Sequence, residues 1–224
     1  MTSLTPQVHL LQKIKKVITY ICMPAYLQNS PLKGDRLYED DTWIAAFAGD
    51  LIGGDKIDFH FFITSLENQN FSRLSEIEGL FSFTAFNKKT NKYYLVSDYR
   101  SQYPVFYFIQ NKKIIFSSCL SSFVRILDKV DFNKQWLYDY LFFNFPINNQ
   151  TFLKNVFRMP VGSVLEVDPV NNKNIIHNYY PFYKVASTLI KDQQALELAK
   201  EVCKERFPLY YYGADIFACA LTSG

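Results

Sequence analysis

The sequence lacks the cysteine and histidine patterns that mark metal sites and disulfide-stapled folds. Its four cysteines, Cys22, Cys119, Cys203 and Cys219, lie far apart and form no Cys-x-x-Cys pair. The three histidines have no partner motif. We therefore expect no metal site and no disulfide framework, and scattered free cysteines favour a reducing, cytoplasmic location.

The sequence also lacks an excess of one charge. Its 24 basic and 21 acidic residues give a net charge of +3, and only Lys13, Lys15 and Lys16 form a basic cluster. This distribution predicts no nucleic-acid partner, because it provides no basic stripe for phosphates. The apolar stretch at residues 13–27 is broken by Tyr20 and Pro24 and is too short to span a bilayer, so we expect no membrane association.

Aromatic residues, in contrast, are abundant. They make up 17% of the 224 residues, with 21 Phe and 16 Tyr. That content suits strand-rich layers packed on helices. The length allows one large domain, or one domain and the start of another.

Hydrophobic periodicity predicts the elements of an α+β fold. Residues 7–21 carry apolar side chains at helical spacing, and a strand over residues 17–22 is the alternative. The apolar run 42–52 reads as a strand in which Gly49 marks a close backbone approach. Alternation of apolar Ile57, Phe59, Phe61 and Ile63 with polar neighbours predicts another strand.

The middle of the chain predicts an antiparallel meander. Three strand pairs are expected at residues 80–86 with 93–96, 105–109 with 113–116, and 161–167 with 174–177. Helices are expected at 134–143 and 192–206. A helix leading into a buried apolar strand is typical of α/β folds, so the change of pattern near Val185 predicts a domain boundary.

The last eleven residues predict a phosphate-binding turn. Residues 214–221 read as a buried strand that runs into Thr222, Ser223 and Gly224. Glycine allows a backbone to approach a phosphate closely, and serine adds a hydroxyl donor. We expect the following codons to supply another small residue, then Asp, at the start of a helix. An ordinary Ser-Gly turn is the alternative.

Several segments in order resemble the asparagine synthetase family. Residues 78–83 (Glu-Gly-Leu-Phe-Ser-Phe) are similar to that family's Gly-Met-Phe-Ala-Phe strand. Residues 97–108 resemble its Arg-Asp-Arg-x-Gly-x-x-Pro-Leu-Tyr-Tyr segment, and residues 150–165 its Thr-(Leu/Ile)-Phe and Leu-Pro-Pro-Gly elements. Residues 220–224 resemble the start of its Leu-Ser-Gly-Gly-x-Asp-Ser pyrophosphate loop.

The resemblance implies a two-part enzyme. Residues 1–185 would form a class II glutamine amidotransferase domain with the Ntn-type four-layer αββα sandwich. Residues 186–224 would begin an ATP-pyrophosphatase domain, in which Leu221, Thr222, Ser223 and Gly224 open the ATP-binding loop. The parent enzyme would be a ligase that uses ATP and Mg²⁺ to activate a small-molecule or peptide carboxylate for amide formation. The 224-residue chain by itself would need no cofactor.

The family's catalytic nucleophile, an N-terminal cysteine, has no clear counterpart. The sequence begins Met1-Thr2-Ser3. Thr2 is a candidate hydroxyl nucleophile, and Cys22 a candidate thiol if the chain is processed before it. Met23 and Pro24 stand where the family has glycine and an aliphatic residue, which favours a buried structural role for Cys22.

The oxyanion-hole pair also departs from the family pattern. Ala48, Gly49 and Asp50 align with the family's Asn-Gly-Glu, and Ala48 has no amide to donate. The Gly-x-Asp element that holds the substrate amine has no convincing counterpart in residues 63–78. We therefore expect a glutaminase-like domain without activity. An active glutaminase with processed Cys22, and a scaffold that covers the synthetase site or forms a homodimer, are the alternatives.

Overall fold

The computed structural model describes residues 8–14, 17–22, 37–52, 58–110, 113–180 and 192–210. The strands in these ranges are β1 Val8–Ile14, β2 Val17–Cys22, β3 Leu37–Glu39, β4 Trp43–Leu51, β5 Gly79–Asn87, β6 Lys92–Ser97, β7 Phe106–Gln110, β8 Lys113–Ser117, β9 Phe157–Arg158, β10 Ser163–Asp168 and β11 Lys173–Asn178. The helices are α1 Phe59–Glu67, α2 Leu120–Ile126, α3 Lys134–Phe143 and α4 Asp192–Tyr210, with a 3₁₀-helix at Phe71–Glu76.

The strands form two sheets. The larger sheet has the order β11-β10-β6-β5-β4-β3, and all of its neighbours are antiparallel. The smaller sheet has the order β1-β2-β8-β7-β9. Its neighbours are antiparallel except β2 and β8, which run parallel. Helices combined with mainly antiparallel sheets confirm the predicted α+β class.

Three hydrophobic clusters hold these elements together. In the first, α1 packs on one face of the larger sheet, where the rings of Phe62 and Phe83 stack 4.3 Å apart. In the second, Leu95 and Leu165 of the larger sheet meet Phe116 of the smaller sheet. In the third, Phe123 of α2 is fully buried against the opposite face of the smaller sheet. Apolar burial of this kind is the main stabilising term.

The predicted helix at residues 7–21 is wrong, and the alternative strand is confirmed. The segment forms β1 and β2, which pair with each other, and β2 also pairs with β8. Val17, Ile18 and Ile21 are β-branched and therefore favour strands over helices. The apolar residues of this segment fit a helical period as well as a hairpin, so their spacing alone did not distinguish the two.

The predicted strand at residues 57–63 is also wrong, because α1 begins at Phe59. Phe59, Phe62, Ile63 and Leu66 are buried at the i, i+3, i+4 and i+7 spacing of a helix. The Asp58 side chain caps the helix by accepting a hydrogen bond from the Phe61 N–H. The strands expected at 80–86, 93–96, 105–109, 113–116, 161–167 and 174–177 and the helices at 134–143 and 192–206 are confirmed, with ends shifted by a few residues.

Candidate functional site

Strand β4 contains the predicted oxyanion-hole remnant, Ala48, Gly49 and Asp50, none of which is among the described residues that line the neighbouring cleft. Its last residues pair antiparallel with β5, so that Ala48 faces Ser82, Gly49 faces Phe81 and Asp50 faces Leu80. The strand ends one residue later at Leu51, which lines the cleft. Backbone pairing with β5 therefore fixes the position of all three residues.

Gly49 is required by the backbone geometry. Its φ is 116°, a conformation that residues with a side chain rarely adopt. A Cβ atom added there would lie 2.1 Å from the Leu80 carbonyl oxygen and 2.6 Å from the Phe81 Cα. This geometry confirms the close backbone approach predicted from the sequence.

Ala48 and Asp50 differ in what they offer a ligand. Ala48 is buried, and its methyl side chain has no hydrogen-bond donor. Asp50 is half-buried, and the Tyr103 hydroxyl donates to its Oδ2 over 3.4 Å. The side chain at position 48 therefore cannot stabilise an oxyanion.

A cleft of about 690 Å³ opens at this end of the larger sheet. Its wall combines apolar side chains with the carboxylates of Asp58, Glu76 and Glu78. The guanidinium of Arg206, from α4, lies 2.5 Å from a Glu78 oxygen and forms a salt bridge with it. With three carboxylates and one guanidinium, this wall has a net negative charge. Such a charge favours a positively charged ligand group over an anion.

The described residues that line this cleft include no cysteine, serine or threonine. They are Leu51, Ile52, Asp58, Phe61, Phe62, Glu76, Ile77, Glu78, Arg206 and Leu209. The nucleophile of the family that the sequence resembles is a thiol, and a hydroxyl is its nearest substitute. This part of the wall provides neither group.

Asp58 is a candidate site residue that the sequence analysis missed. It lies on the cleft, in the interval between Asp50 and Gly79 where the family's amine-holding aspartate is expected. The incorrect strand prediction treated Asp58 as one polar residue of an alternating pattern, and Asp58 precedes residues 63–78, the interval compared with the Gly-x-Asp element. The signal that could have found it was an aspartate followed by apolar residues at helical spacing, which is the pattern of a helix N-cap.

The segment that resembles Arg-Asp-Arg-x-Gly forms a buried turn after β6. Asp98 is fully buried and accepts hydrogen bonds from the backbone N–H groups of Phe81, Arg100 and Ser101 over 2.8, 2.6 and 2.5 Å. Tyr179 is also buried and donates to the Ser97 carbonyl over 2.6 Å. Burial, with a smaller contribution from the Asp98 charge, raises the pKa of the Tyr179 hydroxyl. These contacts hold the turn in its conformation.

The two candidate nucleophiles are not brought to the cleft by any described contact. Cys22 is the last residue of β2, in the smaller sheet, where its backbone pairs with Val8 on one side and Ser117 on the other. Thr2 lies outside the described residues, as do Leu221, Thr222, Ser223 and Gly224 of the predicted phosphate loop and the strand predicted at 214–221.

The described histidines belong to no cluster of three potential metal-ligating side chains. His60 is exposed on α1, and His177 lies 3.3 Å from a Glu166 oxygen beside the Phe71 ring. Within the described ranges, no three His, Cys, Asp or Glu side chains are close enough to hold a metal ion. None of the helices described is long and apolar enough to cross a bilayer.

Comparison with known proteins shows the family to which the middle of the chain belongs. A family model described as a glutamine amidotransferase domain matches residues 58–180, more than half of the sequence. The matched region begins at Asp58, after β4. A search of curated proteins found no match.

Proposed function

Because this chain belongs to the glutamine amidotransferase domain family, we propose that it is the glutaminase-like part of an asparagine-synthetase-like enzyme that forms amides with ATP. The packing order supports the Ntn-type four-layer sandwich. Helix α1, the larger sheet, the smaller sheet and α2 follow one another through three hydrophobic clusters. This is the layer order expected of an αββα fold.

The proposed domain does not hydrolyse glutamine. The observation that carries this proposal is Ala48, whose methyl group stands where the family has the amide that stabilises the oxyanion. Loss of one such donor typically lowers kcat by about 10² to 10³.

The cleft keeps a means of recognising an amine. We propose that Asp58 takes the place of the family's amine-holding aspartate, since it lies between β4 and β5 on the cleft wall. Arg206 and Leu209 also line this wall, although they lie beyond the region matched by the family model. A carboxylate at this position would let the cleft contact the amine of a ligand.

The ligase activity is proposed for the parent enzyme from the resemblance alone. ATP and Mg²⁺ would bind in the pyrophosphatase domain, whose loop Leu221–Gly224 lies outside the described residues. The carboxylate substrate would be a small molecule or a peptide, and ammonia or a substrate amine would displace AMP.

A glutaminase assay tests the proposed inactivity. The purified chain and the Ala48→Asn variant are incubated with glutamine, and glutamate release is measured with and without a thiol-alkylating reagent. We expect no release above buffer from either protein. Release that alkylation abolishes would show an active cysteine nucleophile and refute the proposal. A rise of about 10² in the variant alone would show that a nucleophile is present and that Ala48 limits it.

A further inference from the structure

The cleft at the end of the larger sheet has an apolar wall that the protein covers only in part. Six of the ten described residues that line it are apolar. Of these, Leu51, Ile52, Phe61 and Ile77 are half-buried, and Leu209 is exposed. A ligand with an apolar body would remove part of their remaining surface from water, which favours its binding.

Backbone and ring contacts hold this wall in place. The Ile52 N–H donates to the Glu78 carbonyl over 3.0 Å, which ties the chain after β4 to the chain before β5. On α1, the Phe61 ring meets the edge of the Phe62 ring, and the Phe62 ring stacks on Phe83 of β5. A wall that is fixed before the ligand arrives has little ordering cost to offset on binding.

The charged residues of the same wall set the sign of the ligand. The guanidinium of Arg206 already forms a salt bridge with Glu78. The charge of the described lining beyond this pair is that of the Asp58 and Glu76 carboxylates. Asp58 caps α1 through Oδ1 and remains exposed. An ammonium group is a ligand group that such carboxylates bind well.

The size and the chemistry of the cleft favour a larger and less polar ligand than glutamine. Its volume of about 690 Å³ lies within the range of about 300 to 1,000 Å³ of pockets that enclose drug-sized ligands. Glutamine is much smaller than such a ligand. Its side chain also ends in a polar amide, which loses hydrogen bonds to water when it is placed against apolar residues.

We propose that the cleft binds a primary amine with an apolar alkyl or aryl body in preference to glutamine. The ammonium group lies against Asp58, and the apolar body covers Phe61, Ile77 and Leu209. This inference rests on the proposed function, in which Asp58 holds an amine, and it names the class of that amine.

Isothermal titration calorimetry of the whole chain at pH 7 with butylamine, hexylamine and octylamine tests the inference. All three amines are charged at this pH, because their pKa is close to the value of about 10.4 of a lysine side chain. Each buried methylene should lower Kd by about threefold to fourfold, so octylamine should bind about 10²-fold more tightly than butylamine. Hexanoate has a carboxylate in place of the ammonium group and should bind at least about tenfold more weakly than hexylamine.

Two variants separate the charge of the cleft from its apolar wall. Asp58→Asn removes the charge and keeps a good helix cap, so it should fold and should raise the Kd of hexylamine at least about tenfold. Asp41→Asn makes the same change at an exposed acid outside the described lining and is the control. Leu209→Ser should weaken octylamine more than butylamine. Thermal unfolding monitors the fold of each variant.

Equal affinities for butylamine and octylamine, hexanoate that binds as tightly as hexylamine, or an unchanged affinity in Asp58→Asn would each overturn the inference. Glutamine that binds more tightly than hexylamine, and that needs Asp58, would also overturn it, but would leave the proposed role of Asp58 intact. Hydrolysis of glutamine is measured separately by glutamate release, so failure of the proposed inactivity is distinguished from failure of this inference.

Discussion

Two buried residues in the turn after β6 affect its stability in opposite directions. Asp98 accepts three backbone hydrogen bonds and satisfies donors that would otherwise be buried unpaired. Ser101 is also fully buried, but its φ is 49° and its side-chain oxygen has no hydrogen-bond partner. Alignment of Asp98 with the aspartate of the family motif places the motif's glycine at Ser101.

Replacement of Ser101 by glycine should stabilise the chain. A residue with a Cβ atom in the left-handed region costs about 1 to 2 kcal/mol, and an unpaired buried hydroxyl adds to that cost. Glycine removes both penalties but loses more backbone entropy on folding. We expect Ser101→Gly to raise the free energy of unfolding by about 1 kcal/mol, measured by urea denaturation.

The matched control for this prediction is Ser101→Ala. Alanine removes the hydroxyl but keeps a Cβ atom at positive φ, so its gain should be smaller than that of glycine. A lower free energy of unfolding for Ser101→Gly would show that the hydroxyl makes a stabilising contact. An equal gain for the two variants would show that the backbone conformation carries no strain.

Asp168 should make stability depend on pH in the acidic range. Hydrogen bonds from the backbone and side chain of Asn171, and from the backbone of Val170, lower the pKa of its carboxyl group. A carboxylate with a lowered folded-state pKa stabilises the fold above its unfolded-state pKa of about 3.9. That stability is lost as the pH falls through the folded-state pKa.

We expect Asp168→Asn to be less stable than the unmodified chain at pH 7, by about 1 kcal/mol, with the difference closing as the pH falls towards 2. Urea denaturation at several pH values measures this difference. Asp41→Asn, at an exposed acid, is the control and should show little difference at any pH. A difference of constant size for Asp168→Asn would mean that packing, rather than the charge, is lost.

At the scale of elements, the sequence predicted local structure better than distant pairing. The hairpin of β5 and β6 and the helix α3 were predicted because a polar turn or a helical period lies within each segment. The strands β1 and β2 form a local hairpin but were predicted as a helix, because their apolar residues also fit a helical period. The parallel pairing of β2 with β8, far along the sequence, was not predicted. No local pattern encodes such a pairing.

The element α1 was missed for a different reason. Phe59, Phe61 and Ile63 fit an alternating strand, while Phe59, Phe62, Ile63 and Leu66 fit a helix. Phe59 and Ile63 fit both the strand period and the helix period. Only a longer segment of sequence distinguishes a helix from a strand here. The same error hid Asp58, whereas Ala48 and Gly49 were placed correctly on a strand because their segment is a single apolar run.

Because the β4 backbone lies very close to the β5 backbone at Gly49, we expect any side chain at this position to destabilise the fold. We expect Gly49→Ala to lower the free energy of unfolding by more than about 3 kcal/mol, because the new methyl group would meet backbone atoms that cannot move alone. Thermal or urea denaturation measures the loss. The neighbouring change Ala48→Gly is the control and should cost about 1 kcal/mol. A small effect of Gly49→Ala would show that β4 can move away from β5.

At the scale of the whole molecule, the position of β2 bears on the alternative in which Cys22 becomes an N-terminal nucleophile. Cleavage before Cys22 would remove β1 and all but the last residue of β2. Of the five strands of the smaller sheet, β8, β7 and β9 would remain. The backbone edge of β8 that now pairs with β2 would then be exposed.

We expect a chain that begins at Cys22 to unfold at least about 10 °C below the full chain, or to lose its cooperative transition, because several kcal/mol of sheet pairing and packing are removed. Differential scanning calorimetry measures the transition, and the glutaminase assay is repeated on the same sample. A chain that begins at Val8 is the control, since it keeps every described strand, and it should unfold like the full chain. A chain that begins at Cys22, unfolds at the original temperature and releases glutamate from glutamine would instead establish the processed cysteine as the nucleophile.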